Sequence, residues 1–107
     1  MVNTRASGRK REIQCKKILE QEEWIIHLAD MPHKWKSIQD IYSCFDLIGL
    51  RKKDGNAEKI YVQVKSGSTQ GCKKKLKEFR DKWLSEEDIV QVWVWKKYHG
   101  FRIVEVK

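Results

Sequence analysis

The chain has 107 residues, enough for one domain and too few for two, so we expect a single domain over residues 1–107, with residues 1–7 flexible. Lysine and arginine number 23 against 15 aspartates and glutamates, which gives a formal net charge of +8. This excess favours a polyanionic partner, although a solvated basic surface also explains it. No apolar run is long enough for a membrane helix and no signal peptide is recognisable, so the sequence predicts an intracellular, cytoplasmic protein without a membrane partner.

Three cysteines, Cys15, Cys44 and Cys72, are widely spaced and form neither a CxxC pair nor a zinc pattern. We predict buried or half-buried free thiols in a reducing compartment. The three histidines are also scattered, and we interpret them as surface or packing residues rather than metal ligands.

The first predicted element is a helix from about residue 8 to residue 21, with Ser7 as its N-terminal cap. Glu12 lies on the same helix face as the apolar residues that follow it, because residues three and seven positions apart are neighbours on a helix. That apolar stripe consists of Cys15, Ile18 and Leu19. A glutamate near a helix start also favours the helix dipole, so its position alone does not require a functional site.

Three strand-like segments follow, at about residues 24–29, 45–52 and 59–66. Residues 30–43, between the first two, read as a loop with room for a short helical turn. Asp54-Gly55-Asn56 predicts a hairpin turn between the second and third strands. In the third strand Gln63 and Lys65 alternate with apolar residues and therefore project from the same side; the apolar residues are Ile60, Val62 and Val64.

A second helix is predicted at about residues 69–84, followed by strands at about residues 88–95 and 101–106. Its apolar stripe, which should dock on a sheet, consists of Cys72, Leu76, Phe79 and Trp83. The element order αβββαββ predicts an α/β protein with a mixed central sheet flanked by helices. Trp93 and Trp95 make one face of the fourth strand aromatic, which either helix packing or a dimer interface explains.

The combination of Glu12 on a helix, Asp46 on a strand and the segment Gln63-Val64-Lys65 on the next strand is typical of a metal-dependent phosphodiesterase. A divalent cation needs hard oxygen ligands on rigid elements, and a neighbouring lysine can orient water. Taken singly, each residue has a simpler interpretation: a helix-start glutamate, a turn aspartate, or the solvated face of an edge strand. Asp40 is a competing carboxylate, which we rank lower because it lies in the loop.

These segments resemble the PD-(D/E)XK nuclease superfamily, and the small size and the helix glutamate are most similar to archaeal-type Holliday junction resolvases. The residues that carry the resemblance are GRKRE at 8–12, Phe45-Asp46-Leu47-Ile48, and Gln63-Val64-Lys65-Ser66. The resemblance implies a restriction-endonuclease-like fold. It also implies an Mg²⁺-dependent endodeoxyribonuclease, with Mn²⁺ as a substitute, that acts on branched or junction DNA as a homodimer.

By the same resemblance, Asp46 is the central metal ligand, and Gln63 and the Val64 backbone carbonyl complete the coordination. Glu12 holds the metal directly or through water, and Lys65 positions the attacking water and stabilises developing charge. The sequence departs from the family pattern at Gln63, where an acidic residue is expected, so the site loses one negative charge. Phe45 stands where proline is common in the family.

The predicted nucleic-acid contacts are basic, aromatic or hydroxyl side chains around these motifs: Arg9, Lys10, Arg11, Lys34, Trp35, Lys36, Ser66, Lys73 and Lys74. A tryptophan that caps the core is an equal interpretation of Trp35. Two further hypotheses remain beside the junction resolvase. One is a related mobile-element or restriction-type endonuclease, and the other is a catalytically inactive nucleic-acid-binding protein of the same fold.

Overall fold

The computed structural model describes residues 4–29, 44–67 and 70–107 of the chain. The two helices and five strands in this part of the chain are, in order, α1 (Thr4–Gln21), β1 (Ile25–Leu28), β2 (Leu47–Lys53), β3 (Asn56–Ser66), α2 (Gln70–Trp83), β4 (Ile89–Lys96) and β5 (Gly100–Glu105). The α/β class predicted from the sequence is therefore confirmed.

The five strands form one mixed sheet in the order β1-β2-β3-β4-β5. Neighbouring strands are antiparallel except β3 and β4, which are parallel and are connected through α2. Parallel neighbours need such a crossover, because a tight turn can only reverse the chain. The crossover places the start of α2 just after the carboxyl end of β3, where Gln63 and Lys65 lie.

Each face of the sheet carries one helix, because the strand residues alternate between two apolar clusters. Cys15 and Leu19 of α1 pack with one set of strand residues, Leu47, Ile60, Val62 and Trp93. Cys72 and Leu76 of α2 pack with the alternate set, which includes Val90, Val92 and Val94. The side chains that point away from the α1 face on β3 therefore point towards α2.

The hairpin predicted at residues 54–56 is confirmed. Lys53 pairs with Asn56, so the loop contains only Asp54 and Gly55, and both have positive φ angles of 52° and 83°. Aspartate and glycine tolerate this left-handed backbone better than most residues do, which explains why the strands reverse at this point.

The first helix begins earlier than predicted. It starts at Thr4, so Ser7 lies within the helix and is not its N-terminal cap, and residues 4–7 are helical where a flexible segment was expected. Arg5 and Ala6 are good helix formers, which lets the helix continue upstream through Gly8. The loop predicted at residues 30–43 lies outside the described residues.

The apolar stripes of both helices are less buried than predicted at one position each. Ile18 of α1 is 38% exposed, and Trp83 at the end of α2 is 66% exposed, whereas Leu19 and Leu76 are fully buried. A helical repeat gives the direction in which a side chain points, but not whether the sheet extends beneath it.

The prediction of buried cysteines outside disulfides is confirmed, since Cys15, Cys44 and Cys72 are all buried and none of them forms a disulfide. Within residues 4–29, 44–67 and 70–107, no helix is long and apolar enough to cross a membrane.

Gly49 of β2 faces α1 and lies where a side chain has no room. A Cβ atom at this position would be 2.5 Å from Ile26 Cδ1 and 2.9 Å from Ile60 Cγ2. We expect Gly49→Ala to lower the free energy of unfolding by about 1–2 kcal/mol, because overpacking forces these side chains out of their preferred rotamers. Urea denaturation measures this change.

The matched control is Gly71→Ala in the first turn of α2, where a Cβ atom would have no neighbour within 4 Å. Alanine is the better helix former, so this variant should be as stable as the parent or slightly more stable. Equal stability of both variants would show that the space around Gly49 adapts without cost.

Candidate functional site

Asp46 is fixed between two strands just before β2 begins. Its backbone N–H donates to the carbonyl of Val62 at 2.9 Å, and its carbonyl accepts from the N–H of Ala29 at 2.8 Å. The residue is only 9% exposed. The backbone of Asp46 is therefore bound to β3 on one side and to the end of β1 on the other, which leaves little freedom for its carboxylate.

The carboxylate of Asp46 lies against the backbone of β3. Its Oδ2 atom accepts a hydrogen bond of 2.7 Å from the N–H of Val64. A hydrogen bond to an ionised acceptor is shorter and stronger than a neutral one. This contact holds the carboxylate beside the segment Gln63-Val64-Lys65 that the sequence analysis singled out.

Gln63 and Lys65 are half-buried on β3, on the face that α2 covers. The Oε1 atom of Gln63 is buried, and no hydrogen-bond donor reaches it from the described residues. A buried carbonyl oxygen without a donor costs free energy unless a cation, a water molecule or a ligand satisfies it.

Cys72 in the first turn of α2 is affected by the charges of both Asp46 and Lys65. Burial raises the pKa of this thiol, the charge of Asp46 raises it further, and the ammonium groups of Lys65 and Lys75 oppose the rise. The carboxylate and the ammonium are therefore both close enough to act on one side chain.

Cys15 on α1 is affected by the charges of both Asp46 and Glu12. Burial raises the pKa of the Cys15 thiol far above its ordinary value, and the charges of Asp46 and Glu12 raise it further. Two carboxylates thus lie near a fully buried thiol, each of them disfavouring the thiolate. Glu12 belongs to α1, which covers one face of the sheet, whereas Gln63 and Lys65 lie on the face that α2 covers.

Arg9 connects Glu12 to the backbone next to Asp46. Its Nη1 atom lies 3.3 Å from Glu12 Oε1 and donates a short hydrogen bond to the carbonyl of Ala29. Because the N–H of Ala29 is bound to Asp46, the guanidinium fixes α1 relative to the end of β1. Arg9 was predicted to contact nucleic acid, and in the structure its guanidinium binds Glu12 and the carbonyl of Ala29.

The remaining predicted nucleic-acid contacts fall into three groups. Arg11 is engaged within the protein, with its guanidinium 3.7 Å from the centroid of the Trp95 ring and a hydrogen bond to Gln14. Lys10, Ser66, Lys73 and Lys74 are exposed. Lys34, Trp35 and Lys36, together with the competing carboxylate of Asp40, lie outside the described residues.

Oxygen ligands suit a hard divalent cation, but two of the candidate ligands, the amide of Gln63 and the carbonyl of Val64, carry no net charge. Among the side chains that the structure describes, no group of three histidine, cysteine, aspartate or glutamate residues could hold a metal ion. Nevertheless, the side-chain oxygen of Gln63, which no donor among the described residues reaches, belongs to the residue next to Val64, whose N–H binds the carboxylate of Asp46. Amide and carboxylate oxygens are suitable ligands for Mg²⁺. With glutamine in place of an acid, the affinity for the cation should be low.

Sequence reasoning identified the polar residues of this site but not the two thiols between them. Cys15 and Cys72 were predicted as buried thiols in helical apolar stripes, without any connection to the candidate site. No local pattern distinguishes a cysteine that packs beside carboxylates from one in an ordinary core.

Comparison with known proteins does not assign the chain to a family, since no family model, no curated protein and no solved structure matches it.

The hydrogen bond from Val64 N–H to Asp46 should contribute measurably to stability. We expect Asp46→Ala to lower the free energy of unfolding by about 1–3 kcal/mol, because a part-buried backbone donor loses its acceptor. Asp46→Asn should cost less, since the amide oxygen can still accept this bond. Urea denaturation of the two variants side by side checks the order, and an alanine variant as stable as the asparagine variant would contradict it.

Proposed function

We propose that this protein is a metal-dependent, structure-specific DNA endonuclease of the PD-(D/E)XK type, most similar to Holliday junction resolvases. The observation that supports the proposal is the hydrogen bond from the N–H of Val64 to the carboxylate of Asp46. Gln63 and Lys65 are the neighbours of Val64 in β3. A carboxylate, an amide oxygen in need of a partner and an ammonium group are thereby held on two neighbouring strands.

The residues of this site have distinct roles in the proposed hydrolysis. Asp46, Gln63 and the Val64 carbonyl would hold Mg²⁺ or Mn²⁺, with Glu12 as a further ligand, directly or through water. When bound, the cation would polarise a phosphodiester oxygen and lower the pKa of a water molecule. Lys65 would position the attacking water and stabilise the negative charge that develops on the phosphate oxygens.

The surface charge supports a nucleic-acid substrate. The chain carries a net charge of +8, and the exposed side of α2 presents several lysines, including Lys73 and Lys74. Such a surface gains binding free energy from the release of counterions around phosphates. We extend the proposal to branched DNA and a homodimer, because two symmetric sites suit the cutting of paired strands. Three cysteines that form no disulfide suit a reducing, intracellular location.

A second candidate is a nucleic-acid-binding protein of the same architecture that does not cleave. Gln63 favours it, because this residue removes a negative charge that a metal site of this type would use. Both candidates would bind nucleic acid through the basic surface, and only the nuclease would hydrolyse the phosphodiester bond.

Cleavage should depend on Asp46 and on a divalent cation. We expect the parent to cut a four-way junction in preference to a linear duplex of matched sequence when Mg²⁺ or Mn²⁺ is present, and not in EDTA. Asp46→Asn should reduce cleavage at least about a hundredfold and retain DNA binding, because a ligand loses its charge while its shape is nearly unchanged. Gel analysis of end-labelled DNA measures cutting, and fluorescence anisotropy measures binding.

The control variant is Asp54→Asn, which removes the same charge from the exposed hairpin turn. It should cut as the parent does. Junction binding without cutting by the parent would establish the second candidate, and full activity of Asp46→Asn would remove Asp46 from the mechanism.

Gln63→Glu should strengthen the dependence of the protein on metal. The new carboxylate lies beside Asp46, and without a cation the two charges repel one another. With Mg²⁺ the added charge should tighten binding, so the rise in melting temperature on adding Mg²⁺ should exceed that of the parent by several degrees. Cleavage should be preserved or increased.

Gln21→Glu provides the matched control, since it adds the same charge at the exposed end of α1. Its melting temperature should respond to Mg²⁺ as the parent's does. Metal titrations of the parent and Gln63→Glu that superimpose would show that Gln63 does not belong to a metal site.

A further inference from the structure

The turn between β4 and β5 lies at the same end of the sheet as the candidate site. Because β3 and β4 are parallel, their carboxyl ends lie side by side, and Lys65 pairs in register with Val94. The hairpin tip, which we define as residues 96–100, begins two residues beyond Val94 and one strand away from Lys65. Lys96 is therefore displaced from Lys65 by about 7 Å along the sheet and about 5 Å across it, and the rest of the tip extends further outward.

Acidic and basic residues are unevenly distributed between the two ends of the sheet. The end with the hairpin tip also holds the first halves of both helices, since Arg11 of α1 lies 3.7 Å from the centroid of the Trp95 ring and α2 begins shortly after β3 ends. Among the described acidic residues, those at this end are Glu12 and Asp46 of the site itself. The other described acids lie in the second halves of the helices and the turns after them, in the β2–β3 hairpin and at the end of β5. A polyanion that approaches the site from this end therefore meets an excess of basic side chains.

The hairpin tip contributes two lysines and a tyrosine to this end of the sheet. Lys96, Lys97 and Tyr98 are all exposed, and the Nζ atom of Lys97 lies 5.2 Å from the centroid of the tyrosine ring. Tyr98 is 88% exposed, so its ring adds little to the core. No residue of the tip is acidic. Positive charge and a hydroxyl donor are thus presented to solvent beside the candidate site.

The backbone of Tyr98 is poorly suited to a tyrosine. Its φ angle is 71°, a left-handed conformation that glycine adopts with much less strain than a residue with a Cβ atom. The turn is closed by a hydrogen bond of 2.9 Å from the N–H of His99 to the carbonyl of Lys96, which does not involve the tyrosine side chain. Neither the core nor the turn therefore accounts for a tyrosine at this position, and residues held in such conformations are concentrated at functional sites.

Resting on the proposed function, we infer that the hairpin tip binds the sugar–phosphate backbone of the DNA beside the scissile phosphate. Lys96 and Lys97 pair with phosphates, and the hydroxyl of Tyr98 donates a hydrogen bond to a phosphate oxygen. Such contacts fix the position of the DNA without reading its sequence. The displacement of about 7–10 Å between Lys65 and the tip corresponds to two or three base-pair steps of about 3.4 Å, so both would contact the same short segment of DNA.

The first test compares two double variants that remove the same charge from opposite ends of the sheet. Lys96→Ala with Lys97→Ala changes the hairpin tip, and Lys52→Ala with Lys53→Ala changes exposed lysines at the end of β2. Binding to a fluorescent four-way junction is measured by anisotropy in EDTA at several KCl concentrations, so that cleavage does not interfere. The tip variant should bind about tenfold more weakly than the parent at about 0.1 M salt, and its double-logarithmic salt slope should be smaller by about two, because two phosphate contacts are lost. The control variant should keep the slope of the parent.

The second test separates a role of Tyr98 in binding from a role in folding. Tyr98→Gly relieves the strain of the positive φ angle, so its melting temperature should be no lower than the parent's. Its affinity for the junction should nevertheless fall about fivefold, as expected for the loss of one hydrogen bond to a charged group. Tyr98→Phe, which keeps the ring and removes only the hydroxyl, should lose as much affinity.

The outcomes distinguish the hairpin contact from the nuclease proposal. Equal losses of affinity in the two double variants, or no loss in either, would overturn the contact, and a parent that cuts junctions would leave the nuclease proposal standing. Parent-level binding by Tyr98→Gly would remove the tyrosine from the contact. A parent that neither binds nor cuts the junction would overturn both proposals.

Discussion

The arrangement of the site depends on one hydrogen bond, from the N–H of Val64 to the carboxylate of Asp46. The backbone of Asp46 is already bound to Val62 and Ala29, so its side chain has few possible orientations. The hydrogen bond from Val64 selects the orientation that faces β3. Three strands thus converge on a single aspartate. A cation or a phosphate that binds there would meet a carboxylate whose position is fixed before binding, which reduces the entropic cost of assembling the site.

Burying this aspartate is costly, and the surrounding residues show how the cost is offset. The Val64 N–H stabilises the charge directly, and Lys65 supplies an opposite charge on the α2 side. On the α1 side, Glu12 adds a second negative charge and is paired with Arg9. The thiols of Cys15 and Cys72, which stay protonated in this environment, fill the remaining space without adding charge. A glutamine at position 63 limits the cost of burying charge, because a third carboxylate near Asp46 and Glu12 would need a cation to be stable.

Local features of the structure were predictable from the sequence, whereas contacts between distant parts of the chain were not. The period-two pattern of β3 predicted that Gln63 and Lys65 share a face, because one side of the strand is continuously apolar. The Asp54-Gly55 turn was predictable because its backbone conformation suits few residue types. The contacts of Arg9 and the exposure of Trp83 were not, since both depend on which elements meet in space. The same limit applies to Asp46, which was predicted within the second strand but lies just before β2, and whose bond to Val64 was not predictable.

The aromatic rings under α2 and the buried Asp46 are connected through Phe45. The centroid of the Phe45 ring lies 5.3 Å from that of Tyr61 and 5.4 Å from that of Phe79, and the backbone of Phe45 leads directly into Asp46. Close-packed interiors transmit displacements because they contain few voids, so a shift of these rings would also move the Asp46 carboxylate.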